Sequence, residues 1–165
     1  MVLREIGFWS NDAASASLAR SHPKLLVNDA WFAATSPALL RKLQWYLTRV
    51  AFVESHELAY SFCRFSDCSQ AQEDPKVMGA CTMADGVYCW PEAYWHYVVC
   101  HHVKPSDEFL QRIEVNYDRM VQLAAMHSGL LLWDECEGKA VPMPHGMQEW
   151  ITQYTTIQID HEEEK

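Results

Sequence analysis

Val77-Met78-Gly79-Ala80-Cys81-Thr82-Met83-Ala84-Asp85-Gly86-Val87-Tyr88-Cys89-Trp90-Pro91-Glu92 is the stretch whose reading decides the fold. Two short apolar runs, 77–83 and 87–90, flank Ala84-Asp85-Gly86. Asp-Gly between such runs is a strong hairpin signal, because glycine takes up positive φ without a steric penalty. On the N-terminal side, Leu58-Ala59-Tyr60-Ser61-Phe62-Cys63 alternates in size and reads as a strand, and the polar stretch 67–76 reads as a loop. On the C-terminal side, Pro91 opens a helix that runs to His102 and is closed by Pro105.

Two further helices carry clear start signals. Ser36 caps a helix over 37–50, with Pro37 at its first position and Leu39, Leu43, Tyr46, Leu47 and Val50 along one stripe. Ser106 caps another, with Asp107 and Glu108 complementing its dipole. Its apolar stripe is Phe109, Ile113, Tyr117, Met120, Val121 and Ala124, and Gly129 is its stop. A strand over 130–133, a Pro142–Pro144–Gly146 loop and a last helix over 147–154 follow. Residues 1–35 read as an irregular arm pinned by Trp9 and Trp31, with a helical turn or two over 13–20 that His22-Pro23 ends. Residues 158–165, rich in Asp160, Glu162, Glu163 and Glu164, read as a frayed acidic tail. The expectation is one α+β domain over 1–165: a small antiparallel sheet with a β-hairpin, packed against three or four helices.

Composition narrows the function classes. Apolar residues at 49% and charged residues at 21% belong to a chain that buries a core. The net charge of −9 repels phosphate backbones, which argues against nucleic acid and anionic membrane as partners. No run approaches the ~20 apolar residues that span a bilayer. The first residues, with Arg4, Glu5, Asn11 and Asp12, lack a secretory signal core, so the location expected is cytoplasmic. Six cysteines in such a chain read as thiols or metal ligands rather than disulfides. Six glycines, with no Gly-rich phosphate loop and no Gly-x-Ser-x-Gly elbow, argue against a nucleotide-dependent enzyme.

One segment concentrates reactive side chains. Cys63 and Cys68 lie at a strand end and in the loop after it, and His96, Cys100, His101 and His102 follow on the helix beyond the hairpin. Two cysteines on a knuckle and two imidazoles on a helix is the layout of a structural zinc site, since zinc takes four N or S donors in a tetrahedron. The candidate ligands are Cys63, Cys68, His96 and His101, spaced Cys-x4-Cys and His-x4-His. Five residues of helix turn about 500°, leaving His96 and His101 about 140° apart, so sharing one ion asks the helix to loosen near its end. His96 and Cys100, at i and i+4, form an alternative pair.

Two other readings fit the same residues. In one, Cys63, Cys68 and Cys100 are small buried hydrophobes and His96 is a core histidine. In the other, Asp85, Glu92, His96 and His101 supply acid–base groups and Cys81 or Cys89 a nucleophile. The helical His-Glu-x-x-His pattern is absent, however, and Asp85 and Glu92 are accounted for by the turn and by the helix dipole.

The segment also resembles a family of small proteins to which no activity is assigned. The residues concerned are Ser61-Phe62-Cys63-Arg64, Asp85-Gly86 with Trp90-Pro91-Glu92, and His96-Tyr97 with His101 and Val103. They match a signature of Ser-x-Cys-Arg, Asp-Gly-x-x-x-Trp-Pro-Glu and His-Tyr-x-x-x-His-x-Val. Members place the second cysteine three residues after the first, whereas Cys68 is five after Cys63, and Ala93 stands where glycine is usual. The resemblance implies a fold and a site, not a reaction.

Taken together, these features point to a non-enzymatic protein-binding or assembly module stabilised by one structural zinc, with a protein as partner. The seven Trp, seven Tyr and six Phe line an interface or thicken the core. The alternatives are a small metal- or thiol-dependent enzyme using the cluster from Cys63 to His102, and a small-ligand binder with aromatic walls.

Overall fold

The computed structural model describes residues 2–11, 20–49, 52–126, 130–134 and 136–154. The helix turns expected over 13–20 (apart from Arg20), the Val50 end of the helix expected over 37–50, the Gly129 stop and the tail at 158–165 lie outside them.

Six strands form one mixed sheet: β1 Arg4–Glu5, β2 Phe52–His56, β3 Cys81–Ala84, β4 Tyr88–Pro91, β5 Leu131–Asp134 and β6 Lys139–Pro142. Their order across the sheet is β1-β4-β3-β2-β5-β6. The helices are α1 Asp29–Ala34, α2 Pro37–Thr48, α3 Ser69–Glu73, α4 Tyr94–His101, α5 Asp107–Ala125 and α6 His145–Tyr154. The architecture is α+β.

The small antiparallel sheet expected from the sequence is overturned. The hairpin is present, with Ala84 opposite Cys89 and Met83 opposite Trp90, but it forms the middle of a larger sheet. β1 joins β4 in parallel and β5 joins β2 in parallel. Parallel partners come from distant parts of the chain and need no tight turn, so no local signal announces them. Leu58 to Cys63 is coil, because β2 already fills the slot beside β3. The chain gives one last bond, from Glu57 N–H to the Ala80 carbonyl at 2.7 Å, and leaves the sheet. The stretch 67–76 holds α3 and the start of a 3-10 turn, Pro75–Met78. Pro91 ends β4 opposite Thr82, and the helix begins only at Tyr94. Arg4–Glu5 and Asp29–Ala34 give the N-terminal arm regular structure.

Ser36 and Ser106 cap α2 and α5 by accepting from the N–H groups of Leu39 and Phe109. Both helices close over the centre of the sheet at Trp90. Its ring is fully buried, packs against Tyr46 of α2 and Phe109 of α5, and donates its indole N–H to the Leu47 carbonyl at 3.1 Å. Burying a ring of this size with its one donor satisfied is worth several contacts at once.

Asp85 anchors the hairpin turn. Its Oδ1 accepts from the N–H groups of Val87 and Tyr88 at 2.8 and 2.7 Å. Its Oδ2 accepts from Tyr46 Oη at 2.6 Å and from Arg112 Nε at 3.0 Å, and Asn116 donates to Tyr46 Oη at 2.9 Å. The turn therefore ties the sheet to α2 and α5, a role larger than the local one expected of Asp85.

Candidate metal centre

The cysteine side of the site is a turn in the coil between β2 and α3. Cys68 N–H bonds to the Phe65 carbonyl at 3.2 Å, which folds the five residues back and brings the two thiols together. Arg64 N–H donates to Tyr97 Oη at 3.0 Å, fixing the turn to α4. The His22 ring nitrogen meets the Arg64 carbonyl at 3.2 Å and ties it to the N-terminal arm.

The histidine side is α4. After His101 the backbone turns left-handed at His102, φ 52° and ψ 31°, and His102 N–H bonds back to the Tyr97 carbonyl. The His102 ring is held away from the cluster, stacked on Phe32 at 4.0 Å with Nδ1 2.6 Å from Asp29 Oδ1. Cys100 donates to Gln70 Oε1 of α3 at 2.8 Å. Of the three consecutive candidates, His101 alone joins Cys63, Cys68 and His96.

The structure brings those four expected ligands together, one donor atom each, all within 4.8 Å of one another. Cys63 Sγ lies 3.2 Å from His101 Nε2, and Cys68 Sγ lies 3.5 Å from His96 Nε2. The expectation that the helix must loosen does not hold, since α4 is continuous through His101. The long imidazole arms close the angular gap, with ring centroids 5.1 Å apart and planes at 75°. Phe65 stacks on the His101 ring at 4.0 Å and 7°, setting its plane.

Cys68 and His96 are buried, whereas Cys63 and His101 are half-buried. Burial pushes the Cys63 thiol up to about 11, with the neighbouring Cys68 adding to it; hydrogen bonds from Phe65 N–H and Tyr97 O–H oppose the shift. Burial lowers His96 to about 4, with His101 contributing. Burial lowers His101 too, against a pull from Asp67. Burial thus favours the neutral forms of Cys63 and His96. A divalent cation changes that balance, since coordination deprotonates a thiol outright. The group can hold a metal ion.

Of the residues of the acid–base reading, His96 and His101 meet in the cluster, but the two carboxylates are engaged elsewhere. Asp85 is taken up at the hairpin, and Glu92 Oε2 accepts from Ala80 N–H at 2.9 Å and Cys81 N–H at 3.3 Å. Glu92 thus serves the start of β3 rather than a helix dipole, and Gly79 at φ +57° leaves room for its carboxylate. Burial first, then Glu92 and Glu57, raises the Cys81 thiol, the reverse of an activated nucleophile. Three clefts among the described residues are walled largely by the N-terminal arm, and none of the three includes a cluster ligand.

Sequence reasoning passed over Phe65, Tyr97 and His22, which orient the ligands. Tyr97 stands in the quoted His-Tyr pair and had a signal of sorts; Phe65 and His22 had none. No helix among the described residues is long and apolar enough to cross a membrane. Set against known protein families, curated proteins and solved structures, the chain matches none of them.

Proposed function

We propose that the chain is a non-enzymatic binding or assembly module for a protein partner, its fold held by one zinc ion on Cys63, Cys68, His96 and His101. The observation that carries the metal is the ligand geometry. A tetrahedral zinc with Zn–S about 2.3 Å and Zn–N about 2.0–2.1 Å sets its S···N edges at about 3.5 Å. Two of the four S···N edges here are 3.2 and 3.5 Å, and no pair among the four donor atoms exceeds 4.8 Å. Two thiolates and two imidazoles suit zinc, and four protein ligands close the coordination sphere as structural sites do. The site joins the coil 57–68 to α4, which the Arg64 N–H to Tyr97 Oη bond also links.

The module reading rests on the surface. Leu58 and Phe62, 95% and 65% exposed, lie on the coil that leads into the cysteine turn. Trp45 and Trp150 are partly exposed as well, and the acidic charge favours a protein over a nucleic acid.

Elemental mass spectrometry on reduced, tag-free protein tests the metal directly. One zinc per chain, with loss of the folded circular-dichroism signal on chelation, is the expected result. An ion that chelation removes without unfolding would favour a metal-dependent enzyme instead. A chain free of metal would leave the cluster as core packing and end the proposal.

A further inference from the structure

We infer that Cys63 and Cys68 are also an oxidation site, at which hydrogen peroxide joins the two metal-bound sulfurs in a disulfide and expels the ion. The inference rests on the zinc reading. Both sulfurs belong to the four-atom cluster, whose donor atoms all lie within 4.8 Å of one another. Cys63 is half-buried, within reach of a small oxidant. The cysteines sit on a segment, 57–68, without helix or strand, so the sulfurs can close to the ~2.05 Å of a disulfide while α4 stays in place. The third thiol nearby, Cys100, is engaged with Gln70 of α3.

The step balances without another reactant. The Cys63 thiolate attacks one peroxide oxygen; an S–O bond forms, the O–O bond breaks, and hydroxide leaves. The Cys68 thiolate then attacks the Cys63 sulfur, forming the S–S bond and expelling a second hydroxide. Each sulfur gives up one electron and the peroxide takes two. Both hydroxides collect a proton from solvent and become water. Two of the four donors are lost, and the ion left on two imidazoles passes to solvent. Oxidation would thereby remove the metal link between α4 and the coil bearing Leu58 and Phe62, leaving the Arg64 N–H to Tyr97 Oη bond, and so connect the exposed apolar surface to redox state.

The test uses the full, metal-loaded chain carrying Cys136→Ser, which removes an exposed thiol. Hydrogen peroxide is added stoichiometrically, the released ion is followed with a chromogenic chelator, and the protein is mapped by mass spectrometry. The expected result is one ion released per two thiols lost, a mass lower by two hydrogens, and tryptic peptides joined across the Arg64 cleavage site. Dithiothreitol and added zinc should restore the starting state. Thiol oxidation with the ion retained, a Cys68–Cys100 bridge, or sulfinic acid without a bridge would each overturn the inference while leaving the zinc reading intact. A chain that never held an ion would overturn both.

Discussion

Around Asp85 each named polar side-chain group meets a partner from the chain itself: a carboxylate, a phenol, an amide, a guanidinium and two backbone N–H groups. Around His96 the arrangement is different. Two thiols and two imidazoles face one another, buried or half-buried, with burial driving Cys63 and His96 towards their neutral forms. A network closed by charge and hydrogen bonds contributes to the fold by itself. Four soft donors converging on one point contribute fully only when a cation sits among them. The two regions therefore respond to different perturbations.

The largest effect belongs to the metal centre. Cys68→Ala removes a buried ligand, so the protein should lose its metal and its cooperative thermal transition, because forming a structural site is coupled to folding. Metal content and calorimetry on the same sample check this. A variant that keeps its melting temperature would make Cys68 a packing residue.

Asp85→Ala comes next. It strands Tyr46 and Arg112, and since Asp85 is fully buried while Arg112 keeps 24% exposure, the loss is about 3 kcal/mol, at the low end for a broken buried pair. Denaturant titration should show that loss with one metal per chain retained. Metal loss in this variant would mean that the two regions are not independent.

Gly79→Ala should cost about 1–3 kcal/mol, because the new Cβ would collide with the Glu92 carboxylate on a backbone at φ +57°. The double variant with Glu92→Gln should recover little, since the positive φ remains.

Metal affinity should fall as pH falls, and the shifts say which protons matter. Cys63, raised to about 11, must lose a proton to bind, whereas His96, lowered to about 4, is already neutral near pH 7. Binding thus releases protons from the thiol side and none from His96, so lower pH opposes uptake through the thiols first. Competition against a chelator between about pH 6 and pH 8 measures the slope. A slope unchanged by Cys63→His would contradict this division of labour.

The smallest effect is expected at Cys100→Ala and at Asp29→Asn. Cys100 is outside the ligand set, and Asp29 is exposed at the His102 contact. Both should retain metal and shift stability by about 1 kcal/mol or less.

A short window of the chain encodes caps, apolar periodicity and tight turns, and these were legible before folding. Ser36-Pro37 and Ser106 with its acidic first turn started helices where expected, because capping and apolar periodicity are local properties of the chain. Asp85-Gly86 made the hairpin for the same reason. The four metal-site candidates were legible as residue types at usable spacings. Tertiary structure decided the rest. Phe52–His56 looks unremarkable in sequence yet lies inside the sheet, because its neighbours β3 and β5 arrive from distant segments. Leu58-Ala59-Tyr60-Ser61-Phe62-Cys63 alternates like a strand and finds no partner. Among Cys100, His101 and His102, the inward residue is chosen by Gln70, Phe65, Asp29 and Phe32, on elements far away in the chain. Pattern shows what a segment is able to form; which strand it pairs with, and which side chain turns inward, depends on contacts made only once the chain has folded.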